Sequence, residues 1–364
     1  MIRPKILQFD DGDGRSAGWL LLLLILYSLP LDTIAKEPIS KDLPAAAVLN
    51  PAAELWRDVR QRDQPTTGST QVRGVDSGVL INAYGDQWRK FRMQQLIPVG
   101  GYALMGIVIA LAVFYLMRGK VPIEGSESDK KLPRYSTYER MIHWFMASIF
   151  LFLAITGLIL LFGRPVLIPM LGKEAFSILA SACKEGHNLI GPLFLFALIL
   201  VFSQFVRRNI YQKGDLNWLL KGGGIVGKKH VSSNFFNMGE KTMFWMLVFV
   251  GAVIVISGLV LVFPLFGQGR EWMELAHVGH AIGALLMIGV IIGHIYIGTI
   301  GMQGAIEGMK TGYCDLNWAK EHHDLWAGRA EERGEALSNE EVAQLTHNHP
   351  LPSSLGVRTQ EAGK

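Results

Sequence analysis

Five of the ten histidines in this chain, His143, His187, His277, His280 and His294, fall inside or at the edge of long apolar runs. Ionisable side chains are costly in such places and usually functional. The other five, His230, His322, His323, His347 and His349, lie in charged loops or the C-terminal tail, where a solvated role is the default. His280 and His294 are 14 residues apart, which is nearly four helical turns and about 21 Å of axis. At roughly 100° per residue their rings differ by only about 40° around the helix, so they share a face. His277 is turned roughly 100° from His294 and is the weaker partner. A neutral imidazole binds a transition metal through one nitrogen while the other is hydrogen-bonded. Two imidazoles on facing helices at equal depth suit the two axial positions of a haem iron. Depth pairs His187 with His280 at one membrane level and His143 with His294 at the other. Alone, each histidine reads equally well as a buried ring bonded to backbone; matched in depth and phase, the four predict two b haems.

The elements that must hold these histidines follow from hydropathy. Half of the 364 residues are hydrophobic, and six apolar runs appear, at Trp19–Leu31, Val99–Met117, His143–Phe162, Leu189–Val206, Thr242–Phe263 and Leu275–Ile300. The first is short for a span, which leaves five. On this reading His143 and His187 open their helices. Residues 1–35, with Arg3, Lys5 and Arg15 ahead of the short run, read as a signal peptide cleaved after Ala35, with an uncleaved anchor as the alternative. Residues 36–98 form a polar periplasmic segment carrying two echoes, Trp56-Arg57-x-x-Arg60 and Trp88-Arg89-x-x-Arg92, which read as amphipathic turns packing their tryptophans. The loops after Met117 and Val206 are rich in Lys and Arg, which places them, and the tail from about Gly301, in the cytoplasm by the positive-inside rule. These basic patches flank spans, so they indicate topology and contact with membrane lipid rather than nucleic acid. The segment order is then 99–117 as an extra transmembrane helix, 118–134 as a cytoplasmic linker, 135–326 as a four-helix domain and 327–364 as a tail, read beyond about Glu331 as a mobile end or partner contact.

The predicted fold class is an all-α membrane protein, a four-helix transmembrane di-haem cytochrome b bundle with one additional N-terminal transmembrane helix and a small periplasmic segment. Gly279, Gly283, Gly289, Gly293 and Gly298 crowd the last span, and Gly186 and Gly191 flank His187. Such residues suit close approach of a flat macrocycle or of another helix. Cys183 and Cys314 are far apart and without a Cys-x-x-Cys, so the chain cannot build an iron–sulfur or c-type haem site and any such centre belongs to a partner.

Several segments carry a family resemblance: Arg140-Met-Ile-His143-Trp144, Glu185-Gly-His187, Asn237-Met-Gly239-Glu-Lys241-Thr-Met-Phe-Trp245, His280, His294-Ile-Tyr, Asp215-Leu-Asn-Trp218 and Trp318-Ala-Lys-Glu-His322-His323. From about Tyr135 to Trp326 the chain resembles the cytochrome b556 (gamma) subunits of membrane-bound respiratory formate dehydrogenases. The resemblance implies two b haems on four helices in a bacterial inner membrane. It implies electron supply by a periplasmic iron–sulfur (beta) subunit, fed in turn by a molybdenum or tungsten catalytic (alpha) subunit. It also implies reduction of menaquinone or ubiquinone near the cytoplasmic haem, with Asn237, Gly239 and His294 at the quinone-site positions. On chemistry alone, Asn237 suits a quinone oxygen and serves equally as a helix cap with Gly239 in the first turn; Lys241 reads as an interface anchor. Residues 1–134 and His277 depart from the shorter family members. No molybdenum or nucleotide site is identifiable, so formate oxidation is expected in a partner and quinone reduction here. The nearest alternatives are the cytochrome b subunit of a nickel–iron hydrogenase or thiosulfate reductase, which the block Asn237–Trp245 disfavours, and a non-redox transporter or scaffold.

Overall fold

In a bilayer the backbone must satisfy its own hydrogen bonds, so apolar runs of this length become helices. The computed structural model describes residues 83–221, 223, 231–263 and 268–348. The chain divides into Met1–Arg62 and Asp63–Lys364, and every described residue lies in the second unit. The expected signal peptide, the Trp19–Leu31 run, the echo at Trp56, His230 and His349 lie outside the described residues. Among the described residues five helices are long and apolar enough to cross a membrane. The protein is a multi-pass helical membrane protein.

The first span starts well before its apolar run. Helix α1 (Ala83–Phe91) continues through a π turn at Arg92–Leu96 into α2 (Ile97–Arg118), so the helix expected from Val99 begins at Ala83. The polar first turns are held by contacts to the bundle that hydropathy does not register. Helix α3 (Thr137–Val166) opens on a capping box in which Ser136 accepts from the Glu139 amide and Glu139 reaches back to the Ser136 backbone. Leu167 alone separates it from α4 (Ile168–Phe205), whose first turn breaks at Gly172, where φ is +79° and only glycine is unstrained. His187 therefore sits well inside α4 and does not open it. The Leu189–Val206 run marks the most apolar part of the helix rather than its length. Helices α5 (Asp215–Leu220), α6 (Met238–Val262) and α7 (Arg270–Tyr296) complete the bundle.

Helix α3 packs on α4, α4 on α6, α6 on α7, and α2 lies against the outside of α7. Ile142, Met146, Ile149, Phe194, Leu198, Phe205, Phe244 and Val255 fill the space between α3, α4 and α6. Small residues set the closest approaches. A Cβ at Gly283 would stand 3.1 Å from Ile254, and one at Gly289 would stand 2.8 Å from Ile107 of α2. Those two glycines thus serve helix packing.

The end of the bundle where α3 starts carries structure that local periodicity did not predict. Strand β1 (Lys130–Pro133) pairs antiparallel with β2 (Tyr313–Asp315) on one side and β3 (Leu337–Ser338) on the other. The register is Lys131 with Asp315, Leu132 with Cys314 and Lys130 with Ser338. Short helices α8 (Glu307–Thr311), α9 (Leu316–His322), α10 (Asp324–Glu332) and α11 (Asn339–Asn348) surround it. Leu132, Cys314, Trp318, Ala319, Trp326 and Ala327 bury one another there. The expected linker at 118–134 and the start of the expected mobile tail are thus parts of one small sheet-centred cap. Their apolar residues are too few and too scattered to show a period, and they find partners nearly two hundred positions away.

Candidate metal centres

The four predicted ligands meet in the predicted pairs. The His187 and His280 rings stand 6.1 Å apart between α4 and α7, and the His143 and His294 rings 6.3 Å apart between α3 and α7. A metal–imidazole bond is about 2.0–2.1 Å, and a ring centre lies roughly 1.2 Å behind its nitrogen, so two imidazoles sharing one metal sit about 6.4 Å apart, centre to centre. Both pairs match that spacing. Among the described residues no three of His, Cys, Asp and Glu come together as a metal cage. A two-ligand site needs a metal whose other positions are filled by something the protein does not supply, as a porphyrin does.

Hydrogen bonds settle which nitrogen faces inward at one level. Thr156 Oγ1 gives its single proton to the Phe152 and Leu153 carbonyls, at 2.8 and 3.2 Å, and so can only accept from His187 Nδ1, 2.8 Å away. Ser257 does the same on α6. Its hydroxyl donates to Val253 O at 2.6 Å, while His280 Nδ1 lies 3.0 Å from Ile254 O and 3.3 Å from Ser257 Oγ. Each Nδ1 therefore carries the proton, and each Nε2 keeps its lone pair for a metal. The next residue in both helices is glycine. A Cβ at Gly157 would stand 3.3 Å from His187 Cε1, and one at Gly258 would stand 3.1 Å from His280 Cε1. Thr156-Gly157 and Ser257-Gly258 are thus equivalent seats, each a hydroxyl to orient the ring and a bare backbone to admit it. The sequence reading missed both; its legible trace is a hydroxyl-glycine pair in the middle of two apolar spans.

The other level is built differently. His143 Nδ1 is buried without a hydrogen-bond partner, and no hydroxyl-glycine seat holds its ring. His277 stands apart from both pairs, as its phase implied. Its ring stacks on Trp88 at 5.1 Å and 12°, which also gives the second Trp–Arg echo the packing role expected of it.

Asn237 and Gly239 lie at the sheet end, at the start of α6. The contacts of Gly258 with His280 and of Gly283 with Ile254 define an antiparallel register of α6 and α7, which carries His294 to the level of the first turns of α6. The close neighbours of Asn237 and Gly239 are nevertheless not the rings. Asn237 Oδ1 accepts from the Glu240 amide at 2.9 Å in a second capping box, and a Cβ at Gly239 would meet Trp218 at 3.0 Å. The expected interface anchor, Lys241, is corrected. Its side chain is buried and pairs with Asp215 at 2.7 Å, an arrangement available because α5 folds back over the start of α6. Asp215 is the first residue of Asp215-Leu-Asn-Trp218, whose tryptophan covers Gly239; the same four residues recur at Asp315–Trp318 in the cap.

His323 is also corrected, from solvated to buried, with only 1% exposure. Its Nδ1 donates to Asn234 O at 2.8 Å, and its Nε2 accepts from Arg134 Nη2 at 3.0 Å, since arginine only donates. Arg134 in turn lies 5.0–5.3 Å from the rings of Tyr135, Phe235, Trp318 and Trp326 and bonds Glu240 Oε1 at 3.0 Å. Glu240 is the residue that closes the Asn237 capping box. A chain of contacts from His323 through Arg134 to Glu240 thus fixes Asn237 in place. Burial, and then the Arg134 charge, hold His323 well below the ordinary histidine pKa. Burial likewise pushes the nearby Cys314 thiol up to about 11.

Paired imidazoles at two levels of one membrane bundle are the arrangement that a b-type cytochrome needs. Residues 134–312 match the family model of prokaryotic cytochrome b561. That part of the chain is a membrane electron-transfer bundle of the cytochrome b561 family, and haem b is the cofactor the family implies. The cytochrome b556(Fdn) subunit of the nitrate-inducible formate dehydrogenase of Escherichia coli strain K12 is 28% identical over 226 residues, which is 58% of this chain and 97% of that protein. The b556(fdo) subunit of the same organism is 27% identical over 53% of this chain and 90% of its own length. A formate dehydrogenase cytochrome b556 subunit of Haemophilus influenzae is 25% identical over 55% and 83%.

Two outcomes follow from this geometry. Thr156→Val keeps the shape but removes the hydroxyl that accepts from His187 Nδ1, and haem affinity at that pair should fall about 10–100-fold; haem retained against an apo-haem scavenger measures it, and wild-type retention contradicts the assignment. His323 is neutral when folded and free to protonate when unfolded, so stability should be complete above about pH 6.5 and decline as pH falls below it. In His323→Gln, which can still accept from Arg134 and donate to Asn234, the thermal midpoint should vary less between pH 7 and 5 than in the wild type. Equal slopes would show that another group titrates.

Proposed function

We propose that the chain is the membrane cytochrome b subunit of a formate dehydrogenase complex, carrying electrons from an iron–sulfur subunit on the periplasmic side, through two haems, to quinone on the cytoplasmic side. The observation that carries this reading is the two histidine pairs, 6.1 and 6.3 Å between ring centres, at opposite ends of one bundle. Haem iron held by two imidazoles supplies reversible one-electron transfer. His187 and His280, their Nδ1 protons committed to Thr156 and to the α6 backbone, hold the periplasmic centre. His143 and His294 hold the cytoplasmic one, about 21 Å further along α7.

The orientation rests on the basic loops that follow α2 and α4, at the same end as the sheet-centred cap. Quinone binds at that end, beside His294. The Asn237 carboxamide oxygen is committed to capping α6, so its Nδ2 is the group left to donate to a quinone oxygen. Gly239, in the first turn of α6 beside it, lies under the Trp218 ring. Two protons taken from the cytoplasm complete reduction. Each electron moves inward against the membrane potential at about 2.3 kcal/mol per 100 mV, so the transfer conserves energy as charge separation. Formate as the electron source is supported by the names of the three relatives.

His280→Ala should remove one of two b-type components from the dithionite-reduced spectrum and leave the other. Loss of both, or of neither, contradicts the pairing. Purification of the intact complex should bring down an iron–sulfur subunit and a molybdenum or tungsten subunit; a nickel–iron partner would keep the cytochrome role and overturn formate as the source.

A further inference from the structure

The helix that lies outside the four-helix bundle brings basic side chains to the periplasmic histidine pair. Trp88 of α1 stacks on His277, which stands one turn before His280 on α7. Arg92, one turn further along the added helix, is half-buried, and its Nη2 donates to Leu160 O at 2.9 Å. Leu160 lies one turn beyond Gly157, the seat of the His187 ring. Arg164 is one turn further still along α3, and its guanidinium is near enough to that of Arg92 for their charges to repel. Three basic side chains from three helices thus converge within a turn or two of one histidine pair.

Nothing described at this end answers that charge. Asp86 is engaged by Arg89 and Lys90, at 2.8 and 3.1 Å. Glu271 and Glu274 on α7 form no ion pair with Arg92 or Arg164 among the described residues. Arg92 spends one nitrogen on the Leu160 and Leu161 carbonyls, leaving the rest of its donor fork for another acceptor. Placing the half-buried Arg92 guanidinium among apolar helices, beside the like charge of the exposed Arg164, is costly unless an anion joins them. A b haem carries two carboxylates, and an arginine fork fits a carboxylate with paired hydrogen bonds.

Building on the haem assignment above, we propose that Arg92, Arg164 and His277, with Trp88 fixing the His277 ring, form a carboxylate-binding site for the haem held by His187 and His280, through which the added helix raises that haem's reduction potential. A cation beside the iron favours its less positive, reduced state, so loss of the charge should lower the potential of this haem and no other. In a spectroelectrochemical titration of the full chain, the wild type should give two one-electron components. Arg92→Gln should shift one of them downward by about tenfold in its reduction equilibrium, about 59 mV for one electron, and leave the second in place. Arg92→Lys, which keeps the charge, should restore most of the shift. Unmoved components in Arg92→Gln, or an equal fall in Arg92→Lys, overturn the proposal while the haem assignment stands. Should Arg92→Gln fail to hold two haems, Arg164→Gln, which removes no described hydrogen bond, takes the same test, and an unmoved potential there overturns it. A wild type without two components overturns the haem assignment and this site with it.

Discussion

The arrangement depends on one geometric constraint, that two imidazoles from different helices face each other at metal-bridging separation twice over in the same bundle. Helix α7 meets its half of that requirement through sequence spacing alone, because His280 and His294 fall on one face. The other half is met by two different helices, α4 for His187 and α3 for His143, which must be held to α7 at fixed depth. Close approach at Gly283 and the shared core of α3, α4 and α6 provide that depth. Movement of α7 by a single turn would separate both pairs at once, so both centres share one mechanical origin.

The two levels are nevertheless unequal. At the His187–His280 level each ring has a glycine to lie against and a fixed acceptor for its Nδ1 proton, and a third helix pair, α1 and α2, covers the site. At the His143–His294 level one ring nitrogen is buried without a partner, and no hydroxyl-glycine seat holds its ring. The rigidity lacking around that second pair reappears one layer out, where two capping boxes start α3 and α6 and each carboxylate is gripped by an arginine. Arg208 holds Glu139 at 2.6 Å, and Arg134 holds Glu240 at 3.0 Å.

Much of this was legible in the residues. Hydropathy located the described spans, helical phase separated His280 from His277, and depth paired the four histidines, because these are one-dimensional properties of a helix. Both capping boxes are also written locally, as Ser136-x-x-Glu139 and Asn237-x-x-Glu240, though only the asparagine was read as a possible cap. What escaped was contact between distant segments. Leu132 finds Cys314, Arg134 finds His323 and Lys241 finds Asp215 through a cap whose strands are two to four residues long, too short to carry a period. His323 looked solvated because its immediate neighbours are charged, yet its actual surroundings come from Asn234 and Arg134. The hydroxyl-glycine seats escaped for a related reason, since small residues in a span do not announce which neighbour needs the space.

The most direct measurement of the central claim is the number of haems per chain. Pyridine haemochrome analysis against quantitative amino-acid analysis of the purified, fully loaded protein should give two protohaems per polypeptide. A value of one would mean that only one histidine pair is a haem site, and a value near zero, with no b-type absorption in the reduced protein, would contradict the account altogether.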